Sequence, residues 1–210
     1  MAECTEASRI AAAVEDLGST GFAVCLDLLN PDLVRLLLAQ QRQREDDGAL
    51  VMAGVGRGSA GTRVSGQRLA QSSWMDGHSE SEQQFLEFAE RVRLDVNRRL
   101  LLGLFGFEAQ FLYYPPGGFY RRHVDALQGA RGRVVSLIAY LNEDWSPRDG
   151  GALAVWRAGC EGEPAVLVAP VAGTVVLMLS EDIPHEAQVA HRERRAIAGW
   201  FSVNTSSVRA

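Results

Sequence analysis

His123 and Asp125, two residues apart in the stretch 120–128 (YRRHVDALQ), are the chain's first candidates for chemistry. On an extended strand such residues project from the same face, so one imidazole and one carboxylate would share a point. An inward-facing aspartate is costly unless something positive sits against it. Two ligands hold a metal poorly, so a third is needed. Of the four histidines, His78 lies in a polar stretch and His191 in a charged turn, HRERR, while His185 opens a late strand in SEDIPHEAQV. Strands far apart in sequence can face each other across the mouth of a jelly roll. His123, Asp125 and His185 would then offer two imidazoles and one carboxylate to one side of an ion. That donor set suits non-haem Fe(II) with three open positions, and a zinc hydrolase or a cupin uses similar ligands.

Arg194 and Arg195 open RRAIAGWFSV, a strand apolar enough to be largely buried. A guanidinium pointing inward there needs a carboxylate partner. Its fork grips a carboxylate bidentately, which suits the far end of a small dicarboxylic acid chelating a metal at its other end. Only one of the pair can face inward. Alternation groups Arg194 with Ala196, Ala198 and Trp200 and so favours it, leaving Arg195 for the surface.

These residues must be held by a scaffold. Ala7 to Leu17 has Ile10, Val14 and Leu17 at helical spacing, and Phe22 to Leu29 reads as a strand. Asn30-Pro31-Asp32 supplies a cap, a first-turn proline and an acid for a helix running to about Arg44. Ser81 with Gln84 forms a capping box for a helix over 81–102, with Gly103 as its stop. Residues 46–80 are rich in Gly, Ser and Gln, and so long a connection is expected to be a functional lid. The GxGxxG at 56–61, with Asp76 downstream, lacks the helix that dinucleotide binding requires. From 107 onward, strands are expected near 107–114, 118–125, 133–141, 152–156, 165–169, 174–179, 184–190 and 194–202, separated by Gly/Pro turns. The fold class is therefore α+β: a jelly roll over 107–202, with helical support from 1–45 and 80–103, in one domain spanning 1–210.

Composition narrows the function classes. The 47% apolar and 22% charged content is that of a globular protein. No apolar run approaches a membrane span, and the acidic N-terminus does not resemble a secretory signal, so a cytoplasmic setting is expected. All 21 basic residues are arginine, a sign of a GC-rich bacterial genome. The net charge of −5 argues against a nucleic-acid partner, including the substrates of a nucleic-acid demethylase. Cys4, Cys25 and Cys160 form neither a disulfide framework nor a zinc knuckle.

In order along the chain, YYPPGGFYRRHVD, SLIAYLNEDW, GGALAVW, PHEAQVA and RRAIAGWF resemble the core of the Fe(II)- and 2-oxoglutarate-dependent prolyl 4-hydroxylases. The likeness is to the type that acts on hypoxia-inducible factor and to its bacterial relatives. It covers roughly 107–202 and implies a cupin-like double-stranded β-helix. It also implies that His123, Asp125 and His185 bind iron and that Arg194 holds the 5-carboxylate of 2-oxoglutarate. Tyr114, Tyr140 and Trp200 would line the cosubstrate pocket, and Arg133 would lie near the substrate cleft. The turn after Tyr114 is one residue shorter than in the animal enzymes, which leaves Tyr113 and Tyr114 as rival matches. Ser65-Gly66-Gln67 stands where relatives carry Arg-Gly-Asp. The implied reaction hydroxylates a prolyl C4 using O2, with release of succinate and CO2 and with ascorbate as an accessory reductant. Elongation factor Tu is the expected substrate, because bacterial members are associated with one of its prolines. Rival readings are an oxygenase of another protein or a free amino acid, and a non-catalytic jelly-roll binding module. Oligomeric state and the roles of Arg121 and Arg122 are left open.

Overall fold

The computed structural model describes residues 5–54, 66–126 and 132–203. Among the described residues, three α-helices precede most of the strands. Helix α1 (Glu6–Thr20) is capped by the Thr5 side chain and closed by Gly21 in the left-handed conformation. Helix α2 (Pro31–Asp46) starts as its sequence predicts, with the Asn30 side chain accepting from the Asp32 N–H. Helix α3 (Glu80–Leu100) begins earlier than the predicted box. Its cap is Ser79, an extended residue whose hydroxyl accepts from the Glu82 N–H, whereas Ser81 is already within the first turn. The helix stops on Leu101 in the left-handed region, two residues before Gly103.

Among the described residues, twelve strands follow one another as β1 (Phe22–Cys25), β2 (Val51–Met52), β3 (Arg68–Leu69), β4 (Gln71–Trp74), β5 (Leu104–Tyr114), β6 (Phe119–His123), β7 (Arg133–Tyr140), β8 (Leu153–Val155), β9 (Val166–Val168), β10 (Val175–Leu179), β11 (His185–Ala187) and β12 (Arg194–Val203). They form a major sheet, β1-β10-β7-β12-β5-β4-β2, and a minor sheet, β3-β6-β11-β8-β9, with antiparallel pairing throughout both. This is the double-stranded β-helix expected of the sequence. The eight late strands all form within the expected segments, give or take a few end residues.

Alternation along β12 divides the core in two. Ile197 and Phe201 join Val135, Leu137, Phe111 and the apolar faces of the helices. Ala196, Ala198 and Trp200 face the other way, into a second cluster between the sheets with Leu112, Ile138, Val176 and Met178. Side chains such as Phe111 and Phe201, fully buried, each contribute about 1.5–3 kcal/mol. The helices therefore brace one face of the major sheet and leave its other face to the site.

The described part of 46–80 carries regular structure. Its Gly/Ser/Gln composition hides three short strands that exist through pairing with longer neighbours, since propensity alone is too weak to signal them. β2 and β4 extend the major sheet beside β5, while β3 pairs with β6 in the minor sheet. The GxGxxG at 56–61 lies outside the described residues. Asp76 is engaged in structure: it accepts from the His78 N–H and pairs with Arg44 at 2.9 Å.

A buried ionic cluster anchors that segment. Glu82 has no exposed surface; one oxygen takes Arg44 Nη2 at 2.6 Å and the other takes the N–H groups of Asp76 and Gly77. Arg44 also donates to Ser73 Oγ and the Trp74 carbonyl. α2, α3 and β4 thus meet on one carboxylate. Among the described residues, no helix is long and apolar enough to cross a membrane.

Candidate metal and cosubstrate site

His123, Asp125 and His185 converge, each offering one ligand atom, with all three atoms within 4.8 Å of one another. The route differs from the one the sequence suggests. His123 and His185 do not face each other across the barrel; they are directly opposed neighbours on the paired strands β6 and β11. Nor does Asp125 owe its direction to strand alternation, because β6 ends at His123. Asp125 is turned inward by its own N–H and that of Ala126, both donating to the Ser180 carbonyl at 3.0 Å. Its Oδ2 then accepts from Ser136 Oγ at 2.6 Å, and Ser136 Oγ lies 2.9 Å from Ser180 Oγ. Two hydroxyls therefore aim the carboxylate, and Oδ1 remains toward the imidazoles, 3.5 Å from His123 Nε2 and 3.8 Å from His185 Nε2.

Each imidazole is oriented by a backbone carbonyl two residues upstream. Nδ1 of His123 donates to the Arg121 carbonyl at 2.7 Å, and Nδ1 of His185 to that of Ile183 at 3.2 Å. With the proton on Nδ1, both Nε2 lone pairs point into the site. Burial, reinforced by neighbouring His123, pushes His185 down to about 4, so it is a neutral donor at physiological pH. Burial alone would raise Asp125, but His185, His123 and the Ser136 hydroxyl outweigh it and hold the carboxyl well below its usual range. Two imidazole nitrogens and one carboxylate oxygen are a donor set that suits a divalent metal.

The two arginines of β12 take opposite faces, as alternation predicts. Arg194 points between the sheets and is among the largest fully buried side chains. Its Nε donates to the Gly151 carbonyl at 2.9 Å, and its guanidinium lies 4.7 Å from the Tyr114 ring centroid and 5.1 Å from that of Tyr140. A Cβ on Gly151 would meet the Arg194 Cδ at 3.1 Å, so a glycine there lets the side chain pass. No carboxylate pairs with Arg194 among the described residues, an unstable arrangement for a buried charge unless a ligand supplies one. Two further polar atoms of this interior, Tyr140 Oη and Trp200 Nε1, are buried without a hydrogen-bond partner among the described residues. Tyr140 is near enough to Arg194 to feel its charge, yet burial still pushes the phenol up to about 12. A carboxylate-bearing ligand fits this set.

Arg195 is not a surface residue. It turns toward the helices, is only 6% exposed, and pairs with Glu45 of α2 at 2.8 Å and with Glu193 at 3.1 Å. Sequence reasoning missed it because its partner lies far upstream. Tyr113 follows Arg195, bonding Glu193 through its hydroxyl, whereas Tyr114 is opposite Arg194 in register and faces inward. The polar cavity of about 380 Å³ beside Arg195, Arg42 and Arg192 lies on this outer face, away from the triad.

The Arg133 guanidinium lies over Trp200, with Cζ 3.6 Å from the ring centroid, and is held by Glu108 at 2.8–2.9 Å. Arg121 stacks on Phe119 and Arg122 on Trp156. His78 and His191 stay outside the site, the latter bonding the Arg148 carbonyl. Tyr120, which no sequence motif singled out, stacks on the His123 ring.

Comparisons with known proteins agree with this geometry. The family model of the 2OG-Fe(II) oxygenase superfamily matches residues 109–202. A solved prolyl-4-hydroxylase from Pseudomonas putida is 40% identical, with a TM-score of 0.83 over 93% of this chain and 99% of that one. Mouse prolyl hydroxylase EGLN3 is 28% identical over 88% of this chain and 80% of its own length. A Trichoplax adhaerens prolyl hydroxylase, solved with a hypoxia-inducible-factor peptide, shares the fold at a TM-score of 0.81 and 23% identity, covering 94% of this chain and 90% of that one. Oxygenases of this kind use Fe(II), 2-oxoglutarate and O2. By sequence, fold and donor set together, the chain belongs to the 2OG-Fe(II) oxygenase superfamily.

Proposed function

We propose that this protein hydroxylates a prolyl residue at C4 in a protein substrate, and that the substrate is bacterial elongation factor Tu, modified in the cytoplasm. The observation that carries the reading is the convergence of His123, Asp125 and His185 on the interior that also receives Arg194. Support for the prolyl target comes from the 40% identity to the Pseudomonas putida prolyl-4-hydroxylase. Support for elongation factor Tu comes from the resemblance to bacterial members associated with it and from the all-arginine basic composition.

In this reading His123 Nε2, Asp125 Oδ1 and His185 Nε2 hold Fe(II). Arg194 grips the far carboxylate of 2-oxoglutarate through its fork, with Tyr114 and Tyr140 walling it and Trp200 beside it. Iron, 2-oxoglutarate and O2 together supply the oxidising power, with succinate and CO2 as by-products. The apolar residues Leu112, Ile138, Val176 and Met178 keep water from the charged end of the cosubstrate. Ser136 holds Asp125 so that one carboxylate oxygen stays directed at the metal. Arg133, fixed on Trp200, would meet the substrate side.

Incubation of elongation factor Tu with the enzyme, Fe(II), 2-oxoglutarate and O2, followed by mass spectrometry, should reveal one added oxygen on a proline. His123→Ala should abolish that gain. An unmodified factor would remove this substrate, and turnover on free proline instead would redirect the assignment to a small-molecule hydroxylase. Ser136→Ala should weaken metal binding about 10- to 100-fold, read by metal titration, because Asp125 loses its orienting donor.

A further inference from the structure

The 46–80 stretch reaches the metal triad through a stack of three side chains. β3 pairs with β6 so that Arg68 stands directly opposite Tyr120. The Arg68 guanidinium lies over the Tyr120 ring, 4.6 Å from its centroid. Tyr120 in turn lies on the His123 imidazole, with centroids 3.5 Å apart and planes within 20°. Arg68 Nη1 also reaches back to the Gly54 carbonyl at 3.3 Å, which fastens the guanidinium to the far side of its own segment.

The hydrogen bond from His123 Nδ1 to the Arg121 carbonyl selects the tautomer but leaves the ring free to rock about that bond. A face-on aromatic neighbour removes this freedom, and a cation on the outer face of that neighbour adds attraction through the ring quadrupole. On its other side, the His123 ring meets His185 at 4.3 Å and 57°, a tilted contact that does not set a plane. The Tyr120 phenol, pushed up to about 12 chiefly by burial, stays neutral at working pH and takes no part in proton transfer.

We propose that Arg68 and Tyr120 are positioning residues that clamp the His123 imidazole in the plane its Nε2 needs, so that pairing of β3 with β6 is coupled to the geometry of the metal site. The proposal rests on the reading of His123, Asp125 and His185 as metal ligands. The coupling is reciprocal: a strand that steadies the ligand is itself steadied when the metal binds.

Cobalt(II), a redox-quiet stand-in for Fe(II), tests this without turnover. Its visible absorption reports ligand geometry, and titration gives its affinity. Tyr120→Phe keeps the stack and should match the wild type. Tyr120→Leu should weaken Co(II) about 10- to 100-fold and alter the spectrum, with far-UV circular dichroism unchanged. Arg68→Met keeps the aliphatic stem, loses the cation and should weaken Co(II) at least about threefold, as a cation–π contact of this order implies. In the wild type, Co(II) should slow amide exchange at Arg68 and Leu69, and in Arg68→Met it should do so less. Should Tyr120→Leu fail to fold, Arg68→Met decides alone. Wild-type affinity and spectrum in the folded variants, even with a lowered melting temperature, would overturn the proposal. Failure of the wild type itself to bind Co(II) would instead overturn the ligand assignment.

Discussion

Arg194→Gln is expected to raise the KM for 2-oxoglutarate about 100- to 1,000-fold while leaving the melting temperature of the metal-free protein unchanged or higher. The two halves of this expectation share one cause. Arg194 is buried, with its Nε bonded to the Gly151 carbonyl and no carboxylate pairing it among the described residues. In the free protein it is an uncompensated charge, and replacing it removes a burden. On the proposed reading the same charge would answer a desolvated carboxylate once cosubstrate binds, and truncating one partner of such a pair costs about 2–5 kcal/mol. Glutamine can offer one donor but neither the charge nor the fork. Arg194→Lys should fall between, since it restores the charge without the bidentate geometry. Steady-state turnover against 2-oxoglutarate concentration, beside thermal denaturation of the same variants, provides the check. A KM within threefold of wild type would remove Arg194 from the cosubstrate site.

Glu82→Ala is expected to do the reverse, costing about 3–5 kcal/mol of stability, the scale for breaking a buried ion pair. For a chain of this size that corresponds to a melting-temperature fall of roughly 6–20 °C. The loss strands Arg44, which among the described residues keeps Asp76 alone as an acidic partner, and orphans the N–H groups of Asp76 and Gly77. Glu82→Gln retains acceptor oxygen and should cost less. Denaturation curves for the two variants, with KM measured at a temperature where both are folded, separate scaffold from chemistry. A drop below 2 °C for Glu82→Ala would mean that the cluster contributes little.

The site was legible in the sequence where side-chain type and strand alternation decide the outcome. Arg194 falls with Ala196, Ala198 and Trp200 because period two is the only freedom a strand allows. The same rule gave the right placement of Asp125 for the wrong reason, since β6 has ended and a carbonyl on Ser180 does the turning. Ser136, Ser180 and Glu82 stayed invisible because small polar residues and acids carry no periodic signal and their partners are remote in sequence. β2, β3 and β4 were hidden likewise: two to four residues long, they form through pairing, β4 with β5, β3 with β6 and β2 with β4. The helix cap at Ser79 was missed by two residues because Ser79 and Ser81 offer equal side chains, and only the local backbone chooses between them.

Arg194 and Arg195 sit next to each other on β12, one turned between the sheets onto the Gly151 carbonyl and the other bound to Glu45. A single residue inserted or deleted within the strand ahead of this pair would exchange their positions, presenting to the space between the sheets whichever side chain now holds the inward phase. Substitutions along β12 are thus absorbed one at a time, whereas changes of length are not. The loop between β8 and β9, whose glycines Gly159 and Gly162 have nothing within 4 Å of an added Cβ, has no such phase to keep. Natural length variation in homologous chains should therefore collect between β8 and β9 and be absent from the approach to β12.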